Sequence, residues 1–257
     1  MLLALGLLCL VAAERISAQS VADHVTMGAE ARQAGDLHTA LAHYEAALDL
    51  DSTDYAANWR AALVLLDMGE QIPDGLKSPE RDSLYARAEV LAHQAVAADS
   101  TDAEGHFALA AAVGRASLTK GKKERIRRAP VIRDEARKAI ELDPRHDGAY
   151  HILGRWNAEI MRLSGFNRFF AKSFLGAGIF KEASWDSATA DLEKAVELDP
   201  RRIYHRLELA EVYVDRKRYN DARRELAALD SLPFRELRDS AYKAEGDALA
   251  KRIADKR

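Results

Sequence analysis

Metal binding or proton transfer in this chain would start from its eight histidines and its many carboxylates. Their spacing supports neither chemistry. No His-Glu-x-x-His occurs, and His146 and His151, five apart, have a helix start between them. The carboxylates sit beside Arg and Lys, as in Asp134-Glu135-Ala136-Arg137-Lys138, where solvated pairs along a helix explain them. There is no Gly-x-Gly-x-x-Gly after a strand, no phosphate loop ending Gly-Lys-Ser/Thr, and no Gly-x-Ser-x-Gly. The single cysteine, Cys9, offers no disulfide and no thiolate zinc site. The expectation is a chain without catalytic residues, metal or cofactor.

Two other clusters have chemistry to offer as surfaces. The run Lys120, Lys122, Lys123, Arg125, Arg127 and Arg128 places six basic residues among nine. Such a patch suits phosphate, an anionic lipid or an acidic partner. It has no interleaved aromatics, so single-stranded nucleic acid is not expected. The second cluster is Arg155 to Ser184, with Trp156, Phe166, Phe169, Phe170 and Phe174 among Arg155, Arg162, Arg168 and Lys172. It reads as an extra helical piece against a groove. Its apolar side chains suit packing, or a lipid tail with the arginines meeting an anionic head.

These clusters are carried by helices. Six prolines and 14 glycines in 257 residues are few, and alanine, leucine, glutamate and arginine are abundant. A formal net charge of -3 gives no general attraction to nucleic acid or membrane. Leu2 to Ala13 is an uncharged, mostly apolar run, shorter than the ~20 residues of a spanning helix. With Ile16-Ser17-Ala18 after it, residues 1–18 read as an export signal, placing residues 19–257 in the periplasm with no membrane span of their own. Cys9 falls inside this segment, and Leu8 before it is too bulky for a lipidation signal.

The helices repeat. Ala47-Leu-Asp-Leu-Asp-Ser52, Ala95-Val-Ala-Ala-Asp-Ser100, Ala139-Ile-Glu-Leu-Asp-Pro144 and Ala195-Val-Glu-Leu-Asp-Pro200 each close a helical pattern. Their aspartates, Asp51, Asp99, Asp143 and Asp199, are 48, 44 and 56 apart, while Ala188 and Ala222 are 34 apart. A period of 34 with small residues at the crossings resembles the tetratricopeptide (TPR) repeat. Gly28, Ala40 and Tyr44 open the series, and Leu153-Gly154, Ala188, Leu192 and Ala195 give its clearest copy. The fold expected is all-α: a TPR-like right-handed superhelix of about five helix pairs with insertions. The pairs fall near 21–54, 55–102, 103–146, 147–202 and 203–233, followed by a capping helix over 234–253.

His151-Ile-Leu-Gly-Arg-Trp156, Glu159, Leu163-Ser164, Phe166, Arg168, Ala171, Phe174 and Leu175-Gly176, with the flanking alanine helices, resemble the regulator of microtubule dynamics family over residues 80–250. That resemblance implies a TPR domain without catalytic residues. It also implies association with microtubules, and in some branches membrane contact sites and lipid binding.

The function expected is a scaffold that binds a protein or peptide partner in its concave groove. Trp59, Phe107, His151, Arg155, Leu207 and Glu211 are expected to line that groove, because the first helix of each TPR pair faces inward. The alternatives are an apolar-ligand or lipid carrier using the Phe-rich insertion, and a microtubule-associated regulator if the chain is eukaryotic.

Overall fold

The computed structural model describes residues 19–73, 76–163 and 182–257. Among these residues there are eleven helices and no strand. They run α1 Val21–Gln33, α2 Leu37–Leu50, α3 Tyr55–Glu70, α4 Pro79–Ala98, α5 Ala103–Leu118 and α6 Lys122–Leu142. After these come α7 Asp147–Arg162, α8 Trp185–Leu198, α9 Ile203–Asp215, α10 Tyr219–Ser231 and α11 Asp239–Arg252. Phe166, Phe169, Phe170 and Phe174 lie outside the described residues. None of the described helices is long and apolar enough to cross a membrane.

The four repeated aspartates do one job. Each stands just past a helix, at the end of α2, α4, α6 and α8, and its backbone N–H reaches the alanine carbonyl four residues back. Each carboxylate accepts the backbone N–H two residues on, at 2.9, 2.8, 2.8 and 3.0 Å for Asp51, Asp99, Asp143 and Asp199. An aspartate that folds the following backbone competes with further helix and so terminates it. The starts of α2, α3, α4 and α8 are each fixed by a short polar side chain. Asp36, Asp54, Ser78 and Ser184 each accept a backbone N–H of the first turn.

Packing follows from small residues at the crossings. Ala40, Ala88, Ala136, Ala188 and Ala222 of the second helices are completely buried. Gly154 lies where a Cβ would come within 2.7 Å of Leu192 Cγ and 3.1 Å of the Ala188 carbonyl oxygen. That contact sets α7 directly on α8. Consecutive helices pack on one another, and α3, α5, α7 and α9 follow as neighbours along the inside of the superhelix. One apolar core joins α2 to α5 and a second joins α7 to α11.

Two elements differ from the sequence pattern. The last helix begins at Asp239, not at Phe234. Asp239 is 2% exposed, and its carboxylate accepts the backbone N–H groups of Arg235 and Glu236 at 2.7 and 2.8 Å. It thereby holds that stretch as a turn and leaves Phe234 62% exposed. Helix α6 continues through Pro130. Proline has no N–H to give, and the neighbouring Ala129 carbonyl receives the indole N–H of Trp156 at 2.8 Å.

Candidate partner-binding groove

Helix α7 carries a polar stripe. Asp147, His151, Arg155 and Glu159 recur every four residues, so they share one face, and that face looks into the superhelix. Opposite it stands α9. Arg202 and His205 reach Asp147 at 3.0 and 2.8 Å, and His205 Nδ1 lies 2.9 Å from His151 Nδ1. Arg155 pairs with Glu208 at 3.2 Å and with the Tyr204 hydroxyl. Arg162, at the end of α7, pairs with Asp215 at 2.7 Å and reaches Glu211 at 3.5 Å.

Burial and charge set the protonation states. Burial pushes His151 well below the usual imidazole range, helped by the positive charge of the nearby Arg155. Burial lowers His205 as well, against the opposing pull of Asp147. For Asp147 burial opposes ionisation, but the His205 hydrogen bond and Arg202 outweigh it and hold the carboxyl well below its usual range. Glu211 goes the other way: burial, then the nearby Glu208, push it up to about 7.

A cavity of about 790 Å³ opens in front of this ladder, a size that suits a ligand or several side chains of a partner. Much of the rest of its lining is apolar. Leu63 and Leu66 come from α3, Phe107 and Leu118 from α5, and Ile152 and Ile160 from α7. Helix α6 adds Ile126, Ala129 and Ile132, although it is the second helix of its pair, because its first turns extend across the groove. One edge is clasped. Glu70 of α3 meets Arg115 of α5 at 2.5 Å and, from α11, Arg238 at 3.7 Å and the Tyr242 hydroxyl at 3.5 Å.

Trp59, Phe107, His151 and Arg155 come together in this lining, and Trp156 joins them from the next position of α7. Leu207 and Glu211 do not. Leu207 is 2% exposed inside the C-terminal core, and Glu211 stands behind Arg162. Both are on α9, whose groove-facing residues are Tyr204 and His205. In the basic run, Arg127 pairs with Glu124 at 2.7 Å and Arg128 with Glu89. Lys120 and Lys123 are exposed, Lys122 opens α6, and Arg125 reaches the groove lip. Among the described residues no group of three or more histidines, cysteines or carboxylates is placed to hold a metal. The repeat pattern does not mark the partners Tyr204, His205 and Tyr242 on α9 and α11. The four-residue polar stripe of α7 was the available signal, since ionisable residues four apart mark one helix face whose charges need partners.

The family model for regulator of microtubule dynamics protein 1-3 matches residues 20–254. Regulator of microtubule dynamics protein 1 of Bos taurus is 24% identical over 150 residues, covering 58% of this chain and 46% of the bovine protein. Regulator of microtubule dynamics protein 3 of Rattus norvegicus is 25% identical over 196 residues, covering 74% of this chain and 40% of the rat protein. The chain thus spans less than half the length of either relative. Among solved structures, a thermophilic TPR protein of Thermus thermophilus superposes with a TM-score of 0.63 at 19% identity, over 90% of this chain and all of that one. The Pseudomonas aeruginosa pilF protein superposes at 0.55 and 17% identity, over 91% of this chain and 85% of that one. At these identities the two structures speak for the TPR-like fold.

Proposed function

We propose a function for a chain that belongs to the regulator of microtubule dynamics protein 1-3 family: it is a non-catalytic scaffold that holds a segment of a partner protein in its concave groove. The observation that carries this is the apolar wall facing an open cavity. Leu118 is 41% exposed there, and Phe107, Ile126, Ile132 and Ile152 are only half-buried. Apolar surface left open in a concavity gains free energy when a partner covers it, by about 25 cal/mol per Å². The apolar run Leu2–Ala13 supports a setting in the cell envelope.

Photo-crosslinking in the native cell tests the assignment. A photoreactive residue replaces Ile152 in the groove, and another replaces Val90, which is 57% exposed outside it. The Ile152 position traps a specific protein that the Val90 position does not. Equal products from both positions would remove the groove from the function. A lipid trapped at Ile152, with no protein, would favour an apolar-ligand carrier instead.

A further inference from the structure

We infer that the groove receives its partner as an amphipathic helix, with the apolar face on the α5–α6–α7 wall and an acidic end at Arg125. This rests on the groove being the docking site. Among its described residues there is no asparagine, glutamine or lysine. Its inner arginines are already paired: Arg32 with Asp67, Arg115 with Glu70, Arg155 with Glu208, Arg162 with Asp215, and Arg202 with Asp147 and Glu236.

An extended segment brings a bare backbone. Each of its N–H and C=O groups needs a partner once water is excluded, and each left unmet weakens binding. Beyond the paired arginines, this lining offers two buried ring nitrogens, Nε2 of His146 and of His151, too few to follow an extended backbone. A helix carries its backbone hydrogen bonds within itself and presents only side chains. It is the form of polypeptide that an apolar wall with self-neutralised charges can cover without loss.

Arg125 supplies the polarity of the fit. It is exposed at the lip, next to Ile126 of the apolar wall, and makes no ion pair among the described residues. An acidic turn at one end of the incoming helix would complement it, and its long-range attraction would be sensitive to salt.

The test uses the full chain and three fluorescent synthetic peptides of about sixteen residues, long enough for four helical turns. The first is an amphipathic leucine–alanine–glutamine helix with two glutamates at one end. The second has two central prolines. The third has lysines for the glutamates. By fluorescence anisotropy the first binds saturably, the proline peptide binds about tenfold more weakly, and the lysine peptide about fivefold more weakly at low salt. Leu118→Asp abolishes binding of the first peptide, and Arg125→Glu reverses the preference between glutamate and lysine ends. Equal binding of the helical and proline peptides overturns the inference. So does failure of any peptide to saturate, or flotation of the chain on phosphatidylcholine–phosphatidylserine vesicles in place of peptide binding. If the peptides fail while Ile152 still traps a specific protein, the helical partner is wrong and the groove assignment stands. If Ile152 traps nothing specific, the groove assignment itself has failed.

Discussion

His151 and His205 face each other through Nδ1 atoms 2.9 Å apart. The Asp147 carboxylate accepts the Nε2–H of His205 at 2.8 Å. The Nδ1 of a neutral His205 is then bare, and His151 donates to it. Both rings are neutral in the folded chain, and both are held below the usual imidazole range by burial. The unfolded chain therefore binds more protons than the folded one as pH falls below the ordinary histidine value of about 6.5. Stability is full above that value and is lost on acidification, by up to about 1.4 kcal/mol per pH unit for each histidine. Urea midpoints of the chain and of a His151→Asn variant, measured from pH 7.5 to pH 5, should diverge, the chain losing more on acidification, and nitrogen NMR should find His205 protonated at Nε2. Parallel profiles would contradict a histidine held neutral by burial.

Glu211 has the opposite sign. Its carboxyl is pushed up to about 7 by burial and by Glu208. The folded state holds its proton more tightly than the unfolded one, so its ionisation destabilises the fold as pH rises from the ordinary carboxyl range toward 7. Glu211→Gln should raise the melting temperature at pH 8 and leave it nearly unchanged at pH 4.5. A loss at pH 8 would mean that the Arg162 contact at 3.5 Å outweighs burial.

Two helical glycines separate close approach from empty space. A Cβ on Gly154 would strike Leu192 Cγ at 2.7 Å and the Ala188 carbonyl oxygen at 3.1 Å, whereas a Cβ on Gly114 would meet nothing within 4 Å. Gly154→Ala should cost about 1–3 kcal/mol by overpacking, because backbone cannot give way. Gly114→Ala should gain about 0.5–1 kcal/mol from helix propensity. Chemical denaturation of the two variants checks both signs.

The Trp156 indole N–H is the partner of the Ala129 carbonyl at 2.8 Å, next to Pro130. Trp156→Phe keeps most of the apolar contact and deletes the hydrogen bond. A loss of about 1–2 kcal/mol is expected, with a lower denaturant midpoint and an unchanged slope.

The helix pairs were legible because their signals are local. A buried alanine, an Asp-Pro or Asp-Ser stop and a polar cap lie within one turn of each other, and the same chemistry recurs at Asp51, Asp99, Asp143 and Asp199. Trp59, Phe107, His151 and Arg155 followed from the rule that first helices face inward. What escaped depends on rotation and distance. A small turn of α9 about its axis decides whether Leu207 or His205 faces the cavity, and its repeat pattern does not fix that angle. The start of α11 depends on a buried carboxylate folding backward onto Arg235 and Glu236. The Glu70–Tyr242 contact joins positions 172 residues apart, which no local pattern records.

That last contact changes the mechanics of the molecule. A stack of helix pairs behaves as a spring, whose ends separate by small rotations summed over its interfaces. Here Glu70 ties the second pair to the terminal helix through Arg238 and Tyr242 while also holding the buried Arg115. Stretching cannot be shared evenly along the coil until this tie parts. The mouth is therefore tied at two places, at Glu70 and where Leu237 meets the α1–α2 turn at Gly35, and the compliance that open superhelices spread over every repeat is restricted there.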